Sequence, residues 1–253
     1  MYIDSHTHLY LDEFKDDRKE VMKRAIDGGI GHFMFPNVDL NTIAPMKELA
    51  AQYPDRIDMA IGLHPTEVNA DFKTAINVIE QEAQKGIYKA IGEIGIDLYW
   101  DKTFVNEQIE AFRQQCELAN LLNVPVIIHC REGLKQILDV FDSMKQVPDG
   151  VFHSFGGTAD DIMEIRKRGD FYFGINGIVT FKNARIKDIL PVITADRLLL
   201  ETDSPYLAPM PKRGKRNESS FMIHTAGYVA NVLGITNEQL ADITSMNYHT
   251  LFG

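Results

Sequence analysis

Residues 106–129, NEQIEAFRQQCELANLLNVPVIIH, contain one complete unit of the predicted fold: an amphipathic stretch followed by a short apolar run. Apolar side chains recur at helical spacing over Asn106–Leu122, which predicts a helix. The run Val124–His129 has the length of a buried strand, and Pro125 lies at its start, where no ladder hydrogen bond is lost. We therefore predict a helix that leads directly into a buried strand.

The same alternation extends through the 253 residues and predicts βαβ units around a parallel sheet. The other predicted strands are Tyr2–Ser5, His32–Pro36, Ile57–Gly62, Tyr88–Glu93, Gly150–His153, Phe171–Ile175 and Arg197–Thr202. The other predicted helices are Asp12–Gly28, Asn41–Gln52, Phe72–Lys85, Glu132–Lys145, Ala159–Arg168, Arg185–Ile193 and a helical tail over Phe221–Leu251.

Eight strands and about eight helices are typical of a (β/α)₈ TIM barrel, which has about 250 residues. An open, doubly wound sheet of eight strands fits the same pattern. However, no glycine-rich phosphate-binding motif follows the first strand, which disfavours a Rossmann domain. No linker or low-complexity segment interrupts the alternation, so we predict an α/β protein with a single domain over residues 1–253.

Composition and charge restrict the possible partners and location. The apolar fraction of 45% and charged fraction of 25% are those of a globular protein. The formal charge of −10 repels polyanions, so any nucleic acid must bind to a local basic patch. Two cysteines and the absence of a signal-peptide pattern or a long apolar run favour the cytoplasm.

Potential metal ligands cluster at the carboxyl ends of the predicted strands, where barrel active sites lie. His6 and His8 are two residues apart, so the period of a strand directs both to one face. A single such residue is more often structural, but six at strand ends favour a centre for two divalent ions, with Mg, Mn or Zn as candidates. The other four predicted ligands are Glu93, His129, His153 and Asp203.

Other residues near the predicted barrel mouth have two interpretations. His64 follows the third strand and either contacts substrate or metal-bound water or fixes its loop. Arg131 either binds phosphate or pairs with a neighbouring helix. Tyr99 and Trp100 either stack on a nucleobase or pack on their own loop.

A basic loop follows the strand that leads to Asp203. Lys212-Arg213-Gly214-Lys215-Arg216 has four cations in five residues. We predict that Arg213 and Lys215 bind phosphate groups of DNA. The alternative is a solvated loop whose charges pair with acids such as Glu201 or Glu218.

Seven motifs together resemble the TatD family of metal-dependent deoxyribonucleases. They are DSHTH at Asp4–His8, GLHP at Gly62–Pro65, GEIGID at Gly92–Asp97, IHCRE at Ile128–Glu132, FHSFGG at Phe152–Gly157, ETDSPY at Glu201–Tyr206 and RGKRNE at Arg213–Glu218. The resemblance implies a TIM-barrel hydrolase of the amidohydrolase superfamily. It also implies that His6, His8, Glu93 and Asp203 hold one metal, and that Glu93, His129 and His153 hold the second.

The residues and the resemblance lead to a prediction of function. We predict a metal-dependent hydrolase that cleaves DNA phosphodiester bonds from an end, with Asp203 accepting a proton while it also binds metal. The predicted partner is DNA, with no membrane, no obligate protein partner and a monomeric enzyme. The alternative is hydrolysis of a small amide, ester or lactone at the same site. A non-enzymatic module would require six vestigial ligands.

Overall fold

Eight parallel strands form one sheet in chain order in the computed structural model, which describes all 253 residues. The strands are β1 Tyr2–Asp4, β2 Ile30–Pro36, β3 Ile57–Ile61, β4 Ala90–Asp97, β5 Val126–Arg131, β6 Gly150–Phe152, β7 Tyr172–Ile175 and β8 Leu198–Leu200. The helices are α1 Arg18–Asp27, α2 Ile43–Gln52, α3 Phe72–Ala83, α4 Val105–Leu122, α5 Leu134–Ser143, α6 Ala159–Arg166, α7 Ile186–Ile193, α8 Met222–Leu233 and α9 Asn237–Phe252.

The sheet closes on itself between its first and last strands. The backbone N–H of Ser5 donates to the carbonyl of Leu200 at 3.0 Å. The buried Asp4 carboxylate accepts hydrogen bonds from the Thr202 backbone N–H at 2.9 Å and its hydroxyl at 2.7 Å. The predicted barrel is therefore confirmed, and the alternative of an open sheet was wrong.

The barrel interior contains a layer to which every strand contributes one apolar side chain. Tyr248 and Phe252 of α9 pack against this layer and close the amino-terminal end of the barrel. Since side chains alternate along a strand, the residue two positions after a layer residue also points into the barrel. It lies at the mouth formed by the carboxyl ends of the strands. The eight layer residues are Ile3, Met34, Ala60, Ala90, Ile127, Val151, Tyr172 and Leu199.

A second, larger core lies between the outer faces of the strands and the surrounding helices, with 49 buried residues. Cys116 is buried in this core, Cys130 packs against it, and both are free thiols. No helix combines the length and the apolar character that crossing a membrane requires.

Two of the predicted helices have different boundaries in the structure. The stretch predicted as a helix over 12–28 begins with a short 3₁₀ turn at Asp12–Phe14, and α1 starts only at Arg18. The predicted helical tail is divided at Gly234, whose φ of 67° ends α8. Thr236 then starts α9 with a capping box, as its spacing from Gln239 predicts.

The fourth strand is longer than predicted, and Glu93 lies inside it rather than at its end. The pairing of β4 with β5 shifts register between Ile91 and Ile94. Gly92 is required here, because a Cβ atom at this position would lie 2.5 Å from the Ile127 side chain. In a regular strand, a residue three positions after Ala90 of the inner layer would point away from the barrel interior. The register shift changes this alternation, so Glu93 faces the mouth.

Candidate metal centre

Four donor atoms form a first group at the barrel mouth. His6 Nε2 lies 3.1 Å from His8 Nε2 and 3.1 Å from Glu93 Oε2. Asp203 Oδ1 lies 3.5 Å from His8 Nε2 and 3.8 Å from His6 Nε2. Metal–ligand bonds of about 2.0–2.1 Å in a tetrahedral site separate the ligands by about 3.3 Å. The spacing of this group therefore fits a divalent ion.

A second group surrounds the other oxygen of Glu93. Glu93 Oε1 lies 2.7 Å from His153 Nε2, 2.9 Å from His129 Nδ1 and 3.2 Å from His64 Nε2. His129 Nδ1 also lies 3.3 Å from His64 Nε2 and 3.5 Å from His153 Nε2. Glu93 thus faces both groups, one with each carboxylate oxygen, as a bridging ligand does.

Buried carboxylates at the barrel mouth indicate a binding site for cations. Glu93, Glu201 and Asp203 form no ion pair with Lys or Arg, and Glu201 Oε2 is buried without any hydrogen-bond partner. Burial also raises the pKa of the nearby Asp4 to about 7. Buried carboxylates are normally paired or coordinate metal, so the donor set fits divalent ions.

The histidines of the site fall into two groups by the direction of their pKa. Burial lowers the pKa of His6 and of His64, which favours the neutral imidazole that metals require. Burial alone would also lower the pKa of His129 and of His153, but the neighbouring carboxylates of Asp97, Glu93 and Glu201 outweigh it and raise both. A bound ion would displace the protons of these two rings.

Burial alone would raise the pKa of Glu93, but the neighbouring histidines, His153 foremost, outweigh it and hold that pKa well below its usual value. The Glu93 carboxylate is therefore ionised.

Two residues that the sequence did not identify as partners orient histidines of the site. Asp97 Oδ2 lies 3.0 Å from His129 Nε2, and the Tyr10 hydroxyl lies 2.9 Å from His8 Nδ1. Such partners fix the ring tautomer and orientation. Glu201 accepts the backbone N–H of Ser154 at 2.6 Å and lies 3.6 Å from His153 Nδ1, which has no hydrogen-bond partner. The sequence signals were the place of Asp97 in the GEIGID motif, that of Glu201 in the ETDSPY motif, and that of Tyr10 two residues after His8.

His64 fixes its loop, which is one of the two interpretations of its sequence position; contact with substrate or metal-bound water stays a prediction. It caps the 3₁₀ turn Pro65–Glu67, and its Nδ1 accepts the Thr66 backbone N–H at 3.2 Å. This contact leaves Nε2 directed at Glu93. His64 therefore fixes its loop and also faces the second donor group.

The predicted phosphate-binding residues lie outside both donor groups. The Arg131 guanidinium stacks on Tyr99 at 3.7 Å from the ring centroid, and that of Arg213 lies 4.7 Å from the Phe181 ring. Lys215 is exposed. No acidic side chain forms an ion pair with any of these three cations.

The fourth cation of the basic loop is neutralised, although not by the acids named above. Arg216 forms a two-pronged ion pair with Asp17 at 2.6 and 2.8 Å. Glu218 instead accepts from Arg24, and Glu201 faces the interior. Pairing of the loop with Glu201 or Glu218 was therefore wrong, because both carboxylates already have partners or lie buried.

Comparisons with known proteins agree with this architecture. The sequence profile described as TatD related DNase matches residues 3–253. An uncharacterized metal-dependent hydrolase of Bacillus subtilis, YabD, is 36% identical, with 100% of this chain and 99% of the relative covered. The 3′-5′ ssDNA/RNA exonuclease TatD of Shigella flexneri is 33% identical, with coverage of 99% and 98%.

A solved structure shows the same fold. The crystal structure of YJJV, a TatD homologue from Escherichia coli, superposes with a TM-score of 0.91 at 24% identity and covers 99% of this chain and 97% of its own. With the family profile spanning nearly the whole sequence, this chain belongs to the TatD related DNase family of metal-dependent hydrolases.

Proposed function

We propose that the protein hydrolyses phosphodiester bonds of DNA with two divalent ions at the barrel mouth. The observation that carries the choice of substrate is that Arg213 and Lys215 are exposed cations without acidic partners, on a loop whose following residue, Asn217, is bonded to Thr202 beside Asp203. The Shigella relative is named a 3′-5′ ssDNA/RNA exonuclease, which supports a nucleic-acid substrate and action from an end.

All residues needed to hold two ions come from one chain. His6, His8, Glu93 and Asp203 would hold one ion, and Glu93, His129 and His153 the second. Divalent ions at such a site act as Lewis acids toward phosphoryl oxygens and lower the pKa of water. The complete donor set in one chain also supports a single-domain, monomeric enzyme.

Asp203 is the best placed proton acceptor. Its side chain is 15% exposed, whereas that of Glu93 is 4% exposed, so attacking water reaches Asp203 more easily. Burial alone would raise the pKa of Asp203, but the hydrogen bond to His8 and the charge of His153 outweigh it. The pKa is therefore below its usual value, and the carboxylate is ionised at neutral pH, which a proton acceptor requires.

The basic loop is anchored next to this carboxylate. Asn217 is buried, and its side-chain amide donates to the carbonyls of Thr202 at 2.9 Å and Tyr206 at 2.6 Å. The Asn217 backbone N–H also donates to the carbonyl of Pro205 at 2.9 Å. Because the carboxyl end of the loop is held beside the segment that follows Asp203, we infer that its free cations attract the phosphate backbone of a bound substrate. Arg131, at the end of β5, adds a cation to the same end of the barrel.

A substrate panel tests this function. Metal-reconstituted protein is incubated with single-stranded DNA, duplex DNA, RNA, and small amides, esters and lactones. We expect hydrolysis of DNA that chelation abolishes, with mononucleotides released first if cleavage starts from an end. The variant with His6→Ala and His8→Ala, purified in parallel, controls for contaminating nucleases. Turnover of a small amide, ester or lactone without any cleavage of DNA would contradict the proposal.

A further inference from the structure

An exposed group of aromatic rings stands beside the candidate metal centre. Tyr99 and Trp100 follow β4, and 51% of Tyr99 and 70% of Trp100 are exposed to solvent. Their rings meet edge to face with 5.0 Å between centroids. The Arg131 guanidinium lies 3.7 Å from the centroid of Tyr99 and 5.2 Å from that of Trp100. We call Tyr99, Trp100 and Arg131 the aromatic platform.

Hydrogen bonds to the backbone of its loop hold the platform in place. Asp97 Oδ1 accepts the backbone N–H groups of Tyr99 at 2.9 Å and Trp100 at 3.3 Å. The backbone N–H of Leu98 donates to the carbonyl of Arg131 at 2.9 Å, which joins the loop to the end of β5. Tyr99 and Trp100 are adjacent, so their exposed rings form one contiguous aromatic surface on a fixed loop, and such a surface is available to a ligand.

The same carboxylate connects the platform to the second donor group. Asp97 holds the platform backbone with Oδ1, and its Oδ2 lies 3.0 Å from His129 Nε2. A small open recess is lined by Asp97 itself, with Trp100 on one side and Pro65 and Thr66 on the other. The recess is therefore connected to the second donor group through Asp97, which contacts His129.

The chemistry of the platform fits one kind of ligand. An exposed indole offers a flat face for a planar ring, and Arg131 has no carboxylate partner, so its N–H donors are free for a phosphate. A nucleotide has a planar base and a phosphate close together, and Trp100 and Arg131 are neighbours on the platform. In a paired and stacked duplex, however, the face of a base is not available to an external ring.

We propose that the aromatic platform binds an unpaired nucleobase next to the bond to be cleaved, with the base stacked on Trp100 and a phosphate on Arg131. This inference rests on the proposed function, whose substrate it narrows to single-stranded DNA or frayed ends. It also makes Trp100 a determinant of specificity that the metal centre alone does not supply.

The sequence provides a direct probe, because Trp100 is the only tryptophan of the chain. Its fluorescence is followed while metal-loaded protein is titrated with a short single-stranded oligonucleotide with phosphorothioate linkages, which resist hydrolysis. A fully abasic oligonucleotide of equal length and charge, and a blunt duplex, are the comparison ligands. We expect strong quenching with the single strand and little with either of the other two.

Variants then separate stacking from phosphate binding. Trp100→Ala should weaken binding of a labelled single strand by about 5- to 150-fold, the loss of one base–aromatic stack, and Trp100→Phe should restore most of it. Leu121→Ala, an equally exposed apolar position on α4, is the matched control and should bind like the wild type. Equal affinity for the abasic strand, or unchanged binding by Trp100→Ala, would overturn the proposal.

Hydrolysis assays distinguish failure of this inference from failure of the proposed function. If the wild type cleaves no DNA but shows the expected quenching, and Trp100→Ala binds the labelled single strand less tightly, the platform is supported and the proposed function is wrong. If the wild type cleaves DNA and Trp100→Ala has the same KM for single strands, the platform is wrong and the proposed function stands. If Trp100→Ala raises KM for single-stranded DNA and leaves kcat nearly unchanged, both are supported.

Discussion

Asp97 Oδ2 lies 3.0 Å from His129 Nε2, and this contact joins the ends of two neighbouring strands at the candidate metal centre. Since His129 Nδ1 faces Glu93, its Nε2–H donates to Asp97, and the carboxylate fixes the ring in the form that presents Nδ1 to a metal. One carboxylate of β4 therefore sets the orientation of a predicted ligand on β5.

Loss of this contact should weaken one metal position selectively. We predict that Asp97→Ala lowers the affinity of the group around His129 by about 10- to 100-fold, as loss of such partners typically does. Asp97→Asn keeps an oxygen acceptor and should lose less. Metal titration by calorimetry measures both variants, with the exposed Asp101→Ala as control. Equal affinity in wild type and Asp97→Ala would show that the contact does not orient His129.

Removal of two histidines should remove one ion. Because His6 and His8 both belong to the first donor group, His6→Ala combined with His8→Ala should reduce the metal content from about two ions per chain to about one. Elemental analysis of dialysed protein measures this, and circular dichroism checks the fold. His32→Ala is the control, since His32 lies at the other end of the barrel, paired with Asp58. Full activity of the double variant in the presence of a chelator would exclude a metal mechanism.

The carboxylate of Asp203 should matter more for rate than for metal binding. Asp203→Asn keeps the size and one ligand oxygen but loses the basicity, and loss of a general base typically costs about 10²- to 10⁴-fold in rate. We predict a fall in kcat of this size with modest loss of metal, measured by steady-state kinetics and elemental analysis of the same preparation. Wild-type kcat would assign the proton acceptor to another group, with Glu201 and His64 as the next candidates.

The free cations of the basic loop should act on affinity for polyanions. We predict that Arg213→Ala combined with Lys215→Ala raises KM for oligonucleotides and lowers the salt dependence by about one unit of slope per lost phosphate contact. Hydrolysis of a minimal phosphodiester should change much less.

A matched double variant separates a local effect of these cations from net charge. Lys89 and Lys145 are exposed and precede β4 and β6, at the opposite end of the barrel. Lys89→Ala combined with Lys145→Ala changes the net charge equally and should leave KM and the salt slope unchanged. Equal effects of the two double variants would show that the basic loop does not contact DNA.

The closed end of the barrel should give a pH-dependent contribution to stability. Asp58 accepts hydrogen bonds from His32 and from the Tyr248 hydroxyl of α9, each at 2.8 Å. Burial alone would raise the pKa of Asp58, but these two partners outweigh it, so the pKa lies below its usual value. A carboxyl with a lowered pKa contributes stability above its unfolded pKa of about 3.9, and this contribution is lost as the pH falls through the folded value.

Replacement of this carboxylate tests the sign. Asp58→Asn should lower the free energy of unfolding at pH 7 by about 1.5–3 kcal/mol, the range for hydrogen bonds to a charged group. The difference from the wild type should begin to narrow below about pH 4, where the carboxyl of the unfolded chain becomes protonated, and should vanish once the pH is below the lower pKa of the folded state. Urea unfolding at several pH values measures this, and metal content should stay unchanged. A difference independent of pH would show that the charge of Asp58 does not contribute.

The sequence by itself was sufficient for the order of strands and helices and for the position of most site residues at the carboxyl ends of strands. Closure of the sheet into a barrel was shown by the contacts between β1 and the end of β8. Alternation of apolar runs and amphipathic stretches is a local property, and the period of a strand carries from Ile127 of the inner layer to His129, and from Val151 to His153. Helix starts such as the Thr236 capping box are local for the same reason. The motifs of the TatD family added the expected grouping of the ligands.

Only the tertiary structure decided how these residues meet. Glu93 faces the mouth because β4 shifts register against β5, and Asp97 reaches His129 because the two strands pair side by side. Arg216 is neutralised by Asp17, 199 positions away in the chain. Each of these contacts depends on packing between segments that are distant in sequence, where neither strand period nor helix spacing carries information. The same packing leaves Arg213, Lys215 and Trp100 exposed, and these are the residues on which the proposed substrate depends.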